Sequence, residues 1–262
     1  MNIIVCIKQV PKTENLRLKS GESFTSDGLD KRINLFDTFA IEEALRIKDS
    51  LPETTVILLT MGARGCERYL VEGLSLGADK AYLAEKDSAL NYDTVSTAHI
   101  LTSAIRKIED FEGPADLIFT GTQTTDGSSG VIPDMLSVLT SRELISAAAE
   151  VRLTENFTKV EINQRCADRF KKVYRPLPLI ISVTKSNREV RVPTFKRIRE
   201  AIQAKINIIN SSLPGEFTSA TDIIKVIKPG RDSKNSIVHS DDVKEGTQTL
   251  LRMLDEDKIF AR

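Results

Sequence analysis

The residues best suited to chemistry lie between positions 116 and 136, where an apolar run stops at a loop of small polar residues. The apolar run Leu117–Phe119 ends at Gly121, and Thr, Gln, Asp, Gly and Ser residues follow before an apolar helical pattern begins at Val131. A strand that continues through such a loop into a helix leaves backbone N–H groups unpaired at the helix start, where the helix dipole is positive. Both features attract phosphate. The segment therefore predicts a nucleotide-binding site.

The elements that must position this loop alternate along the first 140 residues. Short apolar strands are predicted at Ile3–Ile7, Thr55–Thr60, Lys80–Ala84 and Leu117–Phe119, and helices at Asp37–Asp49, Cys66–Leu76, Asp93–Glu109 and Ser129–Leu139. Buried strands that alternate with helices favour a doubly wound, mostly parallel α/β sheet of the Rossmann-like kind. Ligands in such sheets bind at the carboxyl ends of the strands. We therefore expect three loops to line one crevice: Lys8–Pro11, Met61–Gly65 and Gly121–Gly130.

The pattern changes after about residue 145. Glu150–Ile162 predicts two antiparallel strands, Leu179–Thr184 a further buried strand, and Thr194–Lys205 a basic helix. The prediction is thus a nucleotide-binding α/β domain over residues 1–205, with a small antiparallel extension from about residue 145.

The C-terminal part, residues 206–262, differs from the rest in composition and periodicity. From Asn207 to Asp241 the sequence is polar and weakly periodic, and Leu250, Leu251 and Leu254 indicate a short closing helix. So long a stretch without strong periodicity is unusual inside a compact domain unless it packs against another protein surface. We expect an extended arm that packs on a partner subunit.

The composition argues against several classes of function. Lys plus Arg and Asp plus Glu both number 37, which gives no reason to expect a nucleic acid partner. No apolar run reaches the roughly 18–20 residues of a membrane span, so no direct membrane insertion is expected. The N-terminus begins on a strand pattern instead of a signal peptide, which predicts a cytoplasmic protein. Three scattered cysteines and two histidines predict neither a metal site nor a catalytic nucleophile with its base.

The whole chain resembles the beta subunit of electron transfer flavoproteins, in blocks that follow the order of that family. The blocks are Val5–Pro11, Arg32–Leu45, Thr60–Gly62, Leu76–Ala81, the Asp126–Gly127 loop, Leu177–Val183 and Glu189–Arg191. The resemblance implies a heterodimer with an alpha subunit that carries the redox-active FAD. It also implies an electron carrier without bond-making catalysis of its own, which passes electrons from a flavin-dependent dehydrogenase to an acceptor. The beta subunit binds AMP in most members and a second FAD in electron-bifurcating members, and AMP is favoured here.

The resemblance also assigns residues to the nucleotide site. It places Cys6 and Lys8 beside the adenine, Asn34 and Asp37 on the neighbouring loop, and Met61 and Gly62 on the opposite wall. It assigns the ribose–phosphate cradle to Gly121, Thr122, Gln123, Asp126, Ser128, Ser129, Gly130 and Val131.

Simpler roles remain open for several of these residues. Cys6 and Met61 could be ordinary core residues, and Ser128 and Ser129 could cap a helix. Asp126 could brace the loop through its own backbone hydrogen bonds.

The chain departs from the family pattern in three places. In the cradle, Ser128 and Ser129 stand where many members have Asp and Thr. In the loop that docks the dehydrogenase, Asn187 occupies the position of an apolar anchor, usually leucine, which removes a potential hot spot of binding energy. The docking residues implied by the resemblance are Asn187, Arg188, Glu189 and Arg191. The stretch Arg165–Phe170 lacks the glycine of the family's turn, so its local strand geometry is expected to differ.

Two functions of other classes compete with the carrier. A stand-alone adenine-nucleotide-binding regulatory protein could use the same fold, but it would need no long C-terminal arm. An adenylating enzyme would need a Gly-rich pyrophosphate loop after the first strand, and Lys8–Pro11 does not provide one.

Overall fold

The computed structural model describes residues 1–12, 29–85, 92–154, 156–186, 188–210, 221, 224 and 238–256. They divide into two compact units, the larger containing the described residues up to 224 and the smaller those from 238 onward. Among the described residues, no helix is long and apolar enough to cross a membrane.

The described part of the chain forms the following strands and helices. The strands are β1 (Asn2–Cys6), β2 (Gln9–Pro11), β3 (Lys31–Ile33), β4 (Thr55–Gly62), β5 (Lys80–Glu85), β6 (Leu117–Gly121), β7 (Glu143–Leu153), β8 (Lys159–Cys166), β9 (Arg169–Pro176), β10 (Leu179–Val183) and β11 (Asn207–Asn210). The helices are α1 (Leu35–Ser50), α2 (Glu67–Leu76), α3 (Thr94–Glu112), α4 (Ile132–Thr140), α5 (Phe195–Gln203) and α6 (Val243–Glu256).

Nine of these strands form one sheet in the order β11-β5-β4-β1-β6-β10-β7-β8-β9. Every pairing from β11 to β7 is parallel, and β8 and β9 extend the sheet as antiparallel strands. Strands β2 and β3 form a separate antiparallel pair. The predicted α/β class with a mostly parallel sheet and an antiparallel extension is confirmed.

The sheet is buried on both faces because its central strands are apolar throughout. Ile3 and Val5 of β1 belong to one cluster with residues of α1 and α2, whereas Ile4 and Cys6 belong to a second cluster with residues of α3. Successive side chains of a strand point to opposite faces. A continuous apolar run is therefore what a strand covered by helices on both sides requires.

Two helix boundaries show how the local sequence fixes the elements at the crevice edge. Helix α3 begins after Asp93, whose side chain accepts a hydrogen bond from the backbone N–H of Ser96 at an N···O distance of 2.8 Å, as a capping residue does. Helix α4 begins at Ile132, three residues later than predicted, with Pro133 in its first turn. The backbone explains the difference, because Ser128 and Gly130 have left-handed φ angles of 51° and 65° that a right-handed helix excludes.

The later part of the chain contains more strand than the sequence suggested. The antiparallel extension has a third member, β9, joined to β8 by a tight turn in which Ala167 has a φ of 53°. The turn is thus made without the glycine that the family pattern has there. Asn207–Asn210, which the sequence placed in an extended arm, pairs in parallel with β5 as the edge of the sheet. This strand was not predicted, although its two consecutive isoleucines are enough for a short edge strand, of which Ile209 is buried.

The smaller unit contains helix α6, which agrees with the short closing helix predicted there. None of its residues is buried, and Val243, Leu250 and Leu251 are exposed. The proposed division into residues 1–205 and 206–262, and the packing of the arm on a partner, stay predictions.

Candidate functional site

A cavity of about 350 Å³ opens at the carboxyl ends of β1, β4 and β6. Its wall is formed by Cys6, Ile7, Lys8, Asp37, Met61, Tyr92, Asp93, Thr94, Thr97, Leu101, Thr120, Gly121, Thr124, Ser129 and Ile132. The cavity lies where ligands bind in parallel α/β sheets. We call it the strand-end crevice.

Asp37 is the central polar residue of the crevice wall. Its Oδ2 accepts a hydrogen bond from the backbone N–H of Lys8 at 2.6 Å, and its Oδ1 accepts one from the backbone N–H of Gly121 at 3.1 Å. Burial raises the pKa of Asp37 to about 7, against the opposing effect of these hydrogen bonds and that from Asn34. One carboxyl group therefore ties the loop after β1 to the end of β6.

Asn34 extends this connection to the loop that follows β6. Its side-chain NH₂ donates to Oδ1 of Asp37 and to the carbonyl oxygen of Gln123, both at 2.9 Å. Its Oδ1 accepts a hydrogen bond from the backbone N–H of Thr125 at 3.1 Å, and its own N–H donates to the carbonyl of Lys8 at 2.8 Å. Because Asn34 is fully buried and Asp37 nearly so, the pair fixes the relative positions of three loops before any ligand arrives.

Gly121 is required by close packing. A Cβ atom at this position would lie 2.3 Å from Oδ1 of Asp37 and 2.8 Å from Cβ of Phe36. The start of α1 can approach the end of β6 only because residue 121 has no side chain.

The cradle loop, residues 122–131, turns sharply and leads into α4. The backbone N–H and the hydroxyl of Ser128 both donate to the carbonyl of Thr124 at 3.0 Å. The first residue before α4 is Val131, which supplies no side-chain capping hydrogen bond. Neither Ser128 nor Ser129 therefore caps α4, so the simpler role considered for these two serines is wrong. A helix start without a side-chain cap retains its attraction for an anion.

Lys8 and Asp126 face each other at the rim of the crevice. Their Nζ and Oδ2 atoms are 2.8 Å apart, and the Lys8 side chain is half exposed. Burial acts to raise the pKa of Asp126, but hydrogen bonds from Lys8, Thr124 and Gly127 outweigh it and lower the pKa. Asp126 braces its own loop, since its Oδ1 accepts from the backbone N–H of Gly127 at 2.7 Å. A contact from Asp126 to a ribose stays a prediction.

Most of the predicted nucleotide-site residues gather at this crevice, and their roles there stay predictions. The wall itself includes Cys6, Lys8, Asp37, Met61, Gly121 and Ser129. Asn34, Gln123 and Asp126 are joined to the wall by the hydrogen bonds and the ion pair described above. The wall does not include Gly62, Thr122, Ser128, Gly130 and Val131. Gly62 instead packs against the start of α2, where an added Cβ would lie 2.4 Å from Sγ of Cys66.

Sequence reasoning missed the side of the crevice that α3 provides. Tyr92, Asp93, Thr94, Thr97 and Leu101 all line the cavity. The signal was present, because the predicted helix Asp93–Glu109 follows a parallel strand, and such helix starts lie at the carboxyl edge of the sheet.

Cys6 and Met61 belong to the core and also line the cavity, and their contact with a nucleotide stays a prediction. Each lines the cavity, and each also packs with the apolar cluster on the α3 side of the sheet. Burial, with a smaller effect of the Asp37 charge, raises the pKa of the Cys6 thiol to about 12. Cys6 is therefore a neutral group at the floor of the crevice. Within the described residues, no group of three or more His, Cys, Asp or Glu side chains could hold a metal ion.

The predicted docking residues are held against the chain itself. Asn187 lies outside the described residues. The Arg188 guanidinium lies 2.7 Å from an Oε2 atom of Glu150 and 3.6 Å from the buried carboxylate of Glu43. Glu43 also accepts a hydrogen bond from the backbone N–H of Val151 at 2.8 Å, and burial raises its pKa.

Arg191 holds this segment to helix α1 through more hydrogen bonds than Arg188 makes. Its Nε and Nη2 atoms donate to the two carboxylate oxygens of Glu42 at 2.9 and 3.2 Å, and Nη2 also donates to Asp49 at 2.8 Å. The carbonyl of Glu189 accepts a hydrogen bond from Arg46 at 3.4 Å. Both arginines thus pin the segment to the rest of the larger unit, and their docking role stays a prediction.

Known proteins resemble this chain over most of its length. Protein FixA of Azotobacter vinelandii is 29% identical over 97% of this chain and 94% of its own. Caffeyl-CoA reductase-Etf complex subunit CarD of Acetobacterium woodii is 26% identical over 99% of this chain and 100% of its own. The electron transfer flavoprotein subunit beta of Megasphaera elsdenii is 27% identical over 94% of both chains. The sequence model of the protein family described as "Electron transfer flavoprotein domain" matches residues 23–213 of this chain.

The chain belongs to the electron transfer flavoprotein beta subunit family. This confirms the resemblance found in the sequence. As a subunit of the electron transfer flavoprotein type, the chain is an electron carrier and not a catalyst of bond chemistry. Its family blocks build the crevice: Arg32–Leu45 supplies β3 and the start of α1, with Asn34 and Asp37, and Val5–Pro11 supplies the loop that carries Lys8.

Proposed function

We propose that this chain is the beta subunit of a heterodimeric electron transfer flavoprotein and that it binds an adenine nucleotide in the strand-end crevice. The observation that carries the proposal is the cavity at the ends of β1, β4 and β6, braced in advance by Asn34 and Asp37. Pre-formed concave sites of this kind bind small ligands because little ordering remains to be done on binding.

The polar groups of the crevice suit a nucleotide with its phosphate at the rim. Lys8 provides a positive charge there, Ser129 a hydroxyl, and α4 a start without a side-chain cap. On the cavity wall, Met61, Leu101 and Ile132 offer apolar surface for a purine ring. A phosphate at the rim would compete with Asp126 for Lys8, so we expect their ion pair to loosen when the nucleotide binds.

The size of the cavity favours AMP over a second FAD. Its volume of about 350 Å³ lies at the small end of the roughly 300–1,000 Å³ of ligand pockets. A mononucleotide suits this space better than a dinucleotide does. AMP has no redox chemistry, so in this proposal it shapes the subunit while electrons pass through FAD in the alpha subunit.

Two observations support the proposed partner proteins: the name of one relative and the exposed apolar residues of helix α6. CarD is named as a subunit of a complex that contains a reductase, and we propose that this chain also works with an alpha subunit and a flavin-dependent dehydrogenase. Val243, Leu250 and Leu251 are exposed on α6. Apolar residues gathered on one helix indicate a surface that another chain covers.

Co-expression with the alpha subunit, followed by release of bound nucleotides by heat and mass analysis, tests the proposal. We expect a yellow heterodimer with one FAD and one AMP. Two FAD molecules per heterodimer would show that the crevice admits a dinucleotide and would refute the choice of AMP. A stable, colourless, nucleotide-bound monomer that ignores the alpha subunit would favour the stand-alone regulatory protein instead.

A further inference from the structure

Thr120 presents an unused hydroxyl group in the wall of the strand-end crevice. The residue is 4% exposed and lines the cavity, and its Oγ1 atom has no hydrogen-bond partner. A buried hydroxyl without a partner destabilises a protein, so such groups call for an explanation. A ligand that supplies the missing hydrogen bond is one.

The direction of the Thr120 side chain follows from the alternation along β6. Ile118 packs with the apolar cluster on the α3 side of the sheet, and Phe119 packs with the cluster on the other side. Thr120 therefore faces the α3 side. Since Val5 of β1 is paired with Phe119, the next positions, Cys6 and Thr120, lie side by side on that face.

The neighbouring hydroxyl on β10 shows that Thr120 differs from its surroundings. Ser182 is paired with Thr120 across the sheet and is equally buried, but its Oγ accepts a hydrogen bond from the backbone N–H of Ala147 at 3.2 Å. The fold thus uses one of the two hydroxyls and leaves the one beside the cavity unused.

The floor and the rim of the crevice differ in charge. Cys6 and Thr120 form a floor that is neutral, because burial raises the pKa of the thiol to about 12. Lys8 and Asp126 form an ion pair at the rim, and elsewhere on the wall Asp37 and Asp93 add carboxyl groups, which disfavour a phosphate there. An anionic phosphate is stabilised at the rim, and an uncharged nucleoside is suited to the floor.

We propose that Thr120 is a binding residue for the nucleoside part of the nucleotide, and that its hydroxyl fixes an orientation with the nucleoside at the floor and the phosphate at the rim. The inference rests on the proposed nucleotide site and adds to it a residue and a direction of binding. A threonine hydroxyl both donates and accepts, so it can pair with a ring nitrogen or with a ribose hydroxyl.

The test compares Thr120→Val with wild type in the full-length chain after co-purified nucleotide has been removed. Valine keeps the shape of threonine and replaces its hydroxyl group with a methyl group. Calorimetric titration should show about tenfold weaker binding of both AMP and adenosine, the effect of one hydrogen bond. Thr120→Ser, which keeps the hydroxyl, should restore most of the affinity.

A matched control separates binding from folding. Thr54 is 2% exposed, and its Oγ1 also has no hydrogen-bond partner. It lies just before β4, at the amino ends of the parallel strands, whereas the crevice lies at their carboxyl ends. Thr54→Val should leave both affinities unchanged. The melting temperature of Thr120→Val should not fall below that of wild type, because the variant loses an unpaired buried hydroxyl.

Three results would overturn the proposal in distinguishable ways. Wild-type affinity for AMP in Thr120→Val would show that the hydroxyl makes no contact. Weaker binding of AMP with unchanged binding of adenosine would place Thr120 at the phosphate and reverse the orientation. If wild type itself binds neither AMP nor adenosine, the proposed nucleotide site fails, and the role of Thr120 fails with it.

Discussion

Removal of the Arg191 side chain is the most informative test of how the larger unit is held together. Arg191 donates to both carboxylate oxygens of Glu42 through its side chain, and its backbone N–H donates to Oε2 at 3.1 Å. Glu42 is 4% exposed on α1. Arg191→Ala would therefore leave a buried carboxylate without its main partner, which is far more costly than the loss of a surface ion pair.

The magnitude follows from what remains around Glu42. Breaking a buried ion pair costs roughly 3–5 kcal/mol. Arg46 stays in place with its Nε 2.9 Å from Oε1 of Glu42, and the Arg191 side chain is itself 28% exposed. We therefore expect the free energy of unfolding to fall by about 2–3 kcal/mol. For a chain of this size, the melting temperature should fall by roughly 5–10 °C.

Urea unfolding followed by circular dichroism measures this loss, and a double-mutant cycle with Glu42→Gln assigns it. The cycle should show a coupling energy of more than about 1 kcal/mol between the two residues. Lys172→Ala is the control, because it breaks the exposed pair with Glu161 and should change little. If Arg191→Ala is no less stable than this control, the segment around Arg191 is not held by Glu42.

Further predictions concern the crevice and the cysteines. Gly121→Ala should abolish AMP binding in calorimetric titration because its Cβ would collide with Asp37. Gly127→Ala should bind normally, because its Cβ would lie 4.0 Å from Oγ1 of Thr124, an ordinary contact. In the folded state the pKa of Asp37 is raised from its ordinary value of 3.8 to about 7. Between pH 4 and pH 7 the folded state therefore holds a proton on Asp37 that the unfolded state has lost. The unfolding free energy should therefore fall by up to about 4 kcal/mol as the pH rises from 4 to 7 and then level off, and denaturant titrations of Asp37→Asn should lack this contribution. A thiol reagent should modify the exposed Cys166 rapidly in the native protein, and the two buried cysteines only after unfolding.

The sequence predicted the parallel core well because its signals are local. A buried strand is a short apolar run, and a helix start is a capping residue such as Asp93, so both can be recognised without knowledge of distant contacts. The positions of Asn34 and Asp37 were also predictable, although only through the resemblance to a family. No pattern within the sequence shows that these two side chains join loops that are separated by almost 90 residues.

The parts that could not be predicted depend on tertiary contacts. Strand β11 is only four residues long, and its pairing with β5 spans more than 120 residues of sequence. The ion pairs of Arg188 and Arg191 within the chain were not predicted, because their carboxylate partners lie on other elements. Thr120 was overlooked since a single threonine at the end of a strand is common, and what distinguishes it is that its unpartnered hydroxyl belongs to a residue that lines the cavity.

The last strand of the sheet, β9, has a consequence for how copies of this chain behave towards one another. An edge strand offers unpaired backbone groups that can template the growth of a sheet into a neighbouring molecule. The sequence of β9 is Arg-Phe-Lys-Lys-Val-Tyr-Arg-Pro, so two such strands brought together would oppose four positive charges to four. The proline at its end removes one backbone donor as well. Fibrillar self-association through this edge is thereby disfavoured, although Phe170 and Tyr174 are exposed on it.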